Sequence, residues 1–182
     1  MSSKQKRVFK GIIYDVYQWQ QKMFDGSYTI FEKLKRADAV TVFPITSDKK
    51  IVLMEQKQPI GSLFISAPGG RIDEGETPLK CAKRELLEET GFSSNHITLW
   101  EIQTPFLKMD WENYFYIAKS CQKVTDAKPD AGEKIKLKIV DFEEFLKIAS
   151  QDNFRHPFVT IKVLKALLDK KKMEEIKKLF LD

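Results

Sequence analysis

Residues 69–92 read Gly69-Gly70-Arg71-Ile72-Asp73-Glu74-Gly75-Glu76-Thr77-Pro78-Leu79-Lys80-Cys81-Ala82-Lys83-Arg84-Glu85-Leu86-Leu87-Glu88-Glu89-Thr90-Gly91-Phe92, and this stretch decides the fold. Its second half has the marks of a helix over Pro78–Thr90. Thr77 suits the N-cap and Pro78 the first helical position. Gly91 stands where a left-handed residue ends a helix. At about 100° per residue, Leu79, Ala82, Leu86 and Thr90 share one side, and Glu85, Glu88 and Glu89 share another. Like charges at this spacing cost about 0.2–0.5 kcal/mol per pair. Acidic groups in the last turns also face the negative end of the helix dipole. A sequence that breaks a local rule this way points to a site. Hard divalent cations take oxygen ligands and would neutralise such a cluster. On the helix alone, an ordinary solvated acidic face accounts for the pattern equally well.

The loop ahead of the helix breaks the tie. Gly69–Glu76 is glycine-rich and acidic, able to turn tightly and to bring backbone carbonyls close to a cation. It is not a phosphate-cradling loop, since no Gly-Lys-Ser/Thr follows. Gly70, five residues, Glu76, seven residues, Arg84-Glu85-Leu86, one residue, Glu88-Glu89, one residue, Gly91-Phe92 resembles the Nudix box at every defined position. Seven fixed letters at about 5–7% usage each make a chance match at one start rarer than about one in a million. The resemblance implies an α/β fold, an α/β/α sandwich with a mixed sheet. It implies a hydrolase for a nucleoside diphosphate linked to another moiety, with Mg²⁺ or Mn²⁺ as cofactor. It makes Glu85, Glu88 and Glu89 the metal ligands, joined by the Gly69 carbonyl. Glu76 and Arg84 become supporting residues that brace the loop against the helix. A general base must also take the proton from the attacking water.

Outward from the box, strands are expected at Ile12–Tyr17 and Tyr28–Leu34, divided by a turn at Asp25-Gly26. Ala39–Ile45 and Ile51–Glu55 read as a second strand pair. Ile97–Gln103, Glu112–Ala118 and Lys136–Val140 read as further strands. Further helices are expected at Phe142–Ala149, Pro157–Leu168 and Met173–Leu181. The whole chain, 1–182, reads as one domain, with residues 1–37 as an extra antiparallel strand extension on a core of 38–182.

The chain resembles the ADP-ribose and nucleotide-sugar pyrophosphatase branch along nearly its whole length. That resemblance implies ADP-ribose as substrate, cleaved to AMP and ribose 5-phosphate, and a homodimer built with the N-terminal strands. Asp130-Ala131-Gly132-Glu133-Lys134-Ile135 is similar to the late acidic loop that carries the branch's general base, which points to Glu133. Arg36, Trp19, Gln58, Arg71 and Pro105 are the candidate substrate contacts. Trp19, like Phe24, could stack on a base, although aromatics at strand ends are more often core or interface residues. The chain departs from the branch at two places. Gln58 replaces a phosphate-binding arginine, and Pro105 lies in Thr104-Pro105-Phe106-Leu107, without the usual glycine. An NTP or dinucleoside polyphosphate hydrolase, and a non-catalytic nucleotide sensor, remain the alternatives.

Composition agrees with an enzyme core. At 182 residues and 42% hydrophobic content, the chain can bury one core. Of the net charge of +5, the four basic residues of the first ten and seven lysines against four acids in 162–182 account for +7. The remainder is therefore −2, and the terminal lysines read as solubilising charge rather than a nucleic-acid footprint. No apolar run suits a signal peptide or membrane span. Cys81 and Cys121 form neither a disulfide framework nor a zinc site, so a reducing cytoplasm is the expected setting. His96 and His156 have no ligand or triad spacing and are expected at surface or capping positions.

Overall fold

A hairpin that opens along its length organises the core. In the computed structural model, which describes residues 4–104, 107–128, 132 and 134–182, β4 (Ala39–Thr46) and β5 (Ile51–Lys57) meet at Ile45 opposite Ile51 and then part. β6 (Phe64–Ser66) takes up the edge of β5, with Met54 opposite Ser66 and Gln56 opposite Phe64. The chain then crosses the opening. Val40 N–H donates to the Gly70 carbonyl at 2.9 Å and Val42 N–H to the Pro68 carbonyl at 2.8 Å. The backbone groups of β4 that lack a β5 partner are thus satisfied by the box loop, as buried amides require. The other edge of β4 runs parallel to β10 (Asn113–Lys123). β10 in turn pairs antiparallel with β8 (His96–Gln103) and β7 (Phe92–Ser93). β11 (Lys134–Val140) lies antiparallel to the far side of β5.

Both faces of this mixed sheet are covered, so its central strands are apolar throughout rather than alternating. On one face, Val40, Val42, Val52, Tyr116 and Ala118 pack against Cys81, Ala82 and Leu86 of α1 (Pro78–Thr90). On the other, Phe43, Ile45, Leu53, Phe115 and Ile117 meet α2 (Phe142–Ala149), α3 (Pro157–Leu167) and α4 (Lys170–Leu181). Helix, sheet and helix layers make the expected α/β/α sandwich. Phe43, Phe145 and Phe180 sit at its centre with ring centroids 4.8–5.9 Å apart. These are favourable aromatic spacings.

The N-terminal strands form a second sheet, in the order β1 (Lys6–Lys10), β2 (Asp15–Lys22), β3 (Tyr28–Lys35), β9 (Met109–Asp110). The expected strand pair is β2 with β3, but β2 begins at Asp15 rather than Ile12. Gly11 and Tyr14 close a turn instead, Gly11 N–H donating to the Tyr14 carbonyl at 3.0 Å. Ile12 and Ile13 are consequently exposed. α4 begins three residues before Met173 because the Asp169 carboxylate caps the amides of Lys171 and Lys172. No helix among the described residues is long and apolar enough to cross a membrane.

Candidate active site

The box helix has the ends its sequence dictates. Thr77 Oγ1 accepts from Lys80 N–H at 3.3 Å, and Gly91 adopts φ 73° beyond Thr90. Gly91 is held there by its neighbours, since a Cβ would lie 2.1 Å from the Thr125 carbonyl. Glu85, Glu88 and Glu89 face the loop pinned in the sheet opening. The fit is close at two glycines. A Cβ on Gly69 would meet the Val40 carbonyl at 2.2 Å, and one on Gly70 would meet Glu85 Oε1 at 2.3 Å. Gly69 N–H donates to Glu89 Oε2 at 2.7 Å, which accounts for a carboxylate only 8% exposed.

Arg84 ties helix and loop together. Its Nε and Nη2 grip the two oxygens of Glu76 at 3.1 and 2.9 Å, a fork-to-fork pair. Nη1 reaches Glu85 at 2.7 Å and Glu88 at 3.2 Å, and Nη2 also donates to the Arg71 carbonyl at 3.2 Å. The sequence places Arg84 against Glu88 with the other carboxylates left for metal. The structure differs, because the planar guanidinium has five donors and spans three carboxylates at once. Hydrogen bonding to Arg84 holds the Glu76 carboxyl below its usual range, while burial pushes Glu85 upward. With Glu85 and Glu88 turned to Arg84 and Glu89 to Gly69, no three ligand side chains among the described residues converge as a metal would need. The donor set itself suits a hard cation. Its ligands are carboxylate oxygens, and the single positive charge of Arg84 is shared among Glu76, Glu85 and Glu88, which leaves net negative charge for a cation.

Two cavities flank this seam. The larger, about 670 Å³, lies over Gly69, Gly70, Glu85, Glu88 and Glu89 and is reached by Ile12, Ile13 and Lys128. The smaller, about 280 Å³, fills the gap between the parted strands, against Thr41, Gln56, Gln58 and Ser66, with Arg155 and His156 on its rim. Arg36 and Arg71 border both. Arg36 is held between two rings, its Cζ 4.8 Å from the Trp111 centroid and 5.7 Å from that of Tyr14. The structure therefore gathers Arg36, Gln58, Arg71, Gly69 and the box glutamates. It does not bring in Trp19, which packs on Phe31 in the N-terminal sheet and donates Nε1–H to Gln21. Trp19 had the composition of a base-stacking residue, but β2 carries it away from both cavities of this chain. Pro105 and Glu133 lie outside the described residues.

His156 corrects an expectation. It sits at the N-cap of α3 without capping it. Its ring lies among Phe43, Phe115 and Phe154. Nε2 accepts the Ala67 N–H at 2.9 Å, so the neutral ring carries its proton on Nδ1. Burial lowers its pKa to about 4. Lys128 and Arg155 gave no signal in sequence, because each lies in a loop whose place is set by contacts distant along the chain.

The fold and this glutamate-rich loop–helix define a Nudix-type domain. Residues 35–160 match the NUDIX domain family, and the chain belongs to it. It is 31% identical over 94 residues to an ADP-ribose pyrophosphatase of Bacillus subtilis (strain 168), a match covering 51% of each chain. The chain thus spans about half the length of that relative. It is 29% identical over 126 residues to a methanol dehydrogenase activator of Bacillus methanolicus, covering 68% of each. A crystal structure of an ADP compounds hydrolase superimposes with TM-score 0.73 over 92% of this chain and 93% of its own, at 19% identity.

Proposed function

We propose that this chain hydrolyses the diphosphate bond of a nucleoside diphosphate derivative, with ADP-ribose converted to AMP and ribose 5-phosphate. Water adds to phosphorus, the P–O–P bond breaks, and a proton is released. The observation that carries this reading is the Gly69–Gly70 loop fixed across the sheet opening, directly against Glu85 and Glu89. It is supported by the resemblance to the ADP-ribose pyrophosphatase of Bacillus subtilis. Glu85, Glu88, Glu89 and the Gly69 carbonyl would hold Mg²⁺ or Mn²⁺. The bound cation supplies charge neutralisation at the phosphate oxygens and acidifies a water.

The chain's own groups do the positioning. Arg84 keeps the loop and helix in register through Glu76. Arg36 and Arg71, which line both cavities, are the proposed contacts to phosphate oxygens. Glu133 is the proposed general base. The exposed Phe9 and Ile30 of the N-terminal sheet, with Ile12 and Phe24 in the turns between its strands, support the proposed homodimer.

The test is hydrolysis with Mg²⁺ of ADP-ribose, GDP-mannose, UDP-glucose, a diadenosine polyphosphate and the dNTPs, with products identified. AMP and ribose 5-phosphate as the fastest products are expected. A clear preference for dNTPs or the diadenosine compound would overturn the ADP-ribose reading.

A further inference from the structure

The smaller cavity holds a cation that the hydrolase chemistry above does not use. Arg155 precedes α3, and its backbone is fixed to β6, N–H to the Ile65 carbonyl at 2.9 Å. Its guanidinium lies over Phe64 with Cζ 3.8 Å from the ring centroid. Stacking of this kind orients the fork while leaving its edge free to donate. Among the described residues no carboxylate pairs with it, although it lines a cavity with Gln56, Gln58 and Ser66. Gln56, only 6% exposed, bonds Ser66 through Nε2 and leaves Oε1 buried without a partner. Turning the amide over would leave its nitrogen unmatched in the same place. The preset guanidinium offers its donors to an anionic oxygen, while the unmatched Gln56 Oε1 accepts from a hydroxyl, so the chamber suits a moiety that carries both.

Size decides which part of a substrate enters. The cleft of about 670 Å³ accommodates a nucleoside, whereas the chamber of about 280 Å³ suits one small moiety. The two meet at Gly69, Gly70 and Glu89, where the diphosphate must sit. We propose that Arg155 is a substrate-binding residue that takes a phosphate oxygen on the chamber side of the diphosphate. It supplies from the approach to α3 the positive charge that Gln58 does not supply from the end of β5. The inference rests on the hydrolase reading for the presence of a diphosphate.

The test compares Arg155→Met, which keeps an apolar cover on Phe64, with Arg155→Lys and with Arg155→Met combined with Gln58→Arg. With ADP-ribose and Mg²⁺, Arg155→Met lowers kcat/KM about ten- to a hundredfold, mostly through KM, as loss of a charged hydrogen bond requires. Arg155→Lys recovers part of the loss, and Gln58→Arg recovers more by returning a fork to the same chamber. Thermal midpoints stay at the wild-type value. Binding of inorganic pyrophosphate with Mg²⁺, read by calorimetry, weakens by a similar factor. A kcat/KM within about threefold of wild type, or unchanged pyrophosphate affinity, overturns the role of Arg155. Failure of the wild-type chain to cleave ADP-ribose would instead sink the ADP-ribose reading, and the pyrophosphate measurement would still decide Arg155.

Discussion

Gly69 and Gly70 are adjacent and chemically identical, yet the structure assigns them different penalties. A methyl on Gly69 strikes the Val40 carbonyl, which belongs to a buried strand and cannot retreat. A methyl on Gly70 strikes the end of the Glu85 side chain, which can rotate. Gly69→Ala should therefore lower stability by about 1–3 kcal/mol, the usual cost of overpacking. Gly70→Ala should leave the thermal midpoint nearly unchanged but displace Glu85, with a loss of about a hundredfold in kcat. Denaturation curves and steady-state rates on the two variants check this, and equal loss of stability in both would contradict it. The same pair shows what sequence can and cannot supply. The box glutamates were legible because motif spacing and helical period are local. The target of each glycine was not, because Val40 and Glu85 are brought to them by folding.

At the scale of elements, α1 runs from Pro78 to Thr90 as its capping residues specify, while the N-terminal strands deviate from their sequence reading. β1, Lys-Arg-Val-Phe-Lys, is exposed along its length and carries three charges in five residues, so no buried face marks it. β6, β7 and β9 have two or three residues and exist by virtue of their partners. His156 belongs to this class of tertiary effects, since its environment comes from β4, β10, Ala67 just beyond β6 and the segment before α3. Its folded pKa of about 4 lies below the ordinary value of 6.5. Above pH 6.5 the ring is neutral folded or unfolded and contributes no pH dependence. Between 6.5 and 4 the unfolded chain takes up a proton that the folded chain refuses, so stability falls as pH falls. The full loss is on the order of 3 kcal/mol, reached below pH 4. Urea midpoints of wild type and His156→Gln should converge across that window as pH is lowered. A constant difference between them would show that His156 does not titrate as described.

For the whole molecule, the decisive event is long-range: residues 68–70 close a sheet that β4 and β5 leave open, and that closure presents the acidic helix to both cavities. The α/β/α class was legible through the family resemblance that the box carries, but the parted hairpin was not, since nothing in β4 or β5 alone announces a missing partner. Among the described residues, Arg84 meets the carboxylates of Glu85 and Glu88, and the Gly69 amide meets that of Glu89. A cation that binds the folded site and not the unfolded chain must add stability as RT ln(1 + [M]/Kd), about 2.7 kcal/mol at a hundred times Kd. For a chain of this length that raises Tm by roughly 5–10 °C. The increment should be present with Mg²⁺ or Mn²⁺ and vanish on chelation. Glu85→Gln and Glu89→Gln should lose most of it, together with most turnover, while keeping a cooperative transition. Because the thermal shift requires no substrate, it separates metal binding from catalysis. A full shift retained in both variants would place the cation elsewhere, and activity retained with it would remove these glutamates from the reaction.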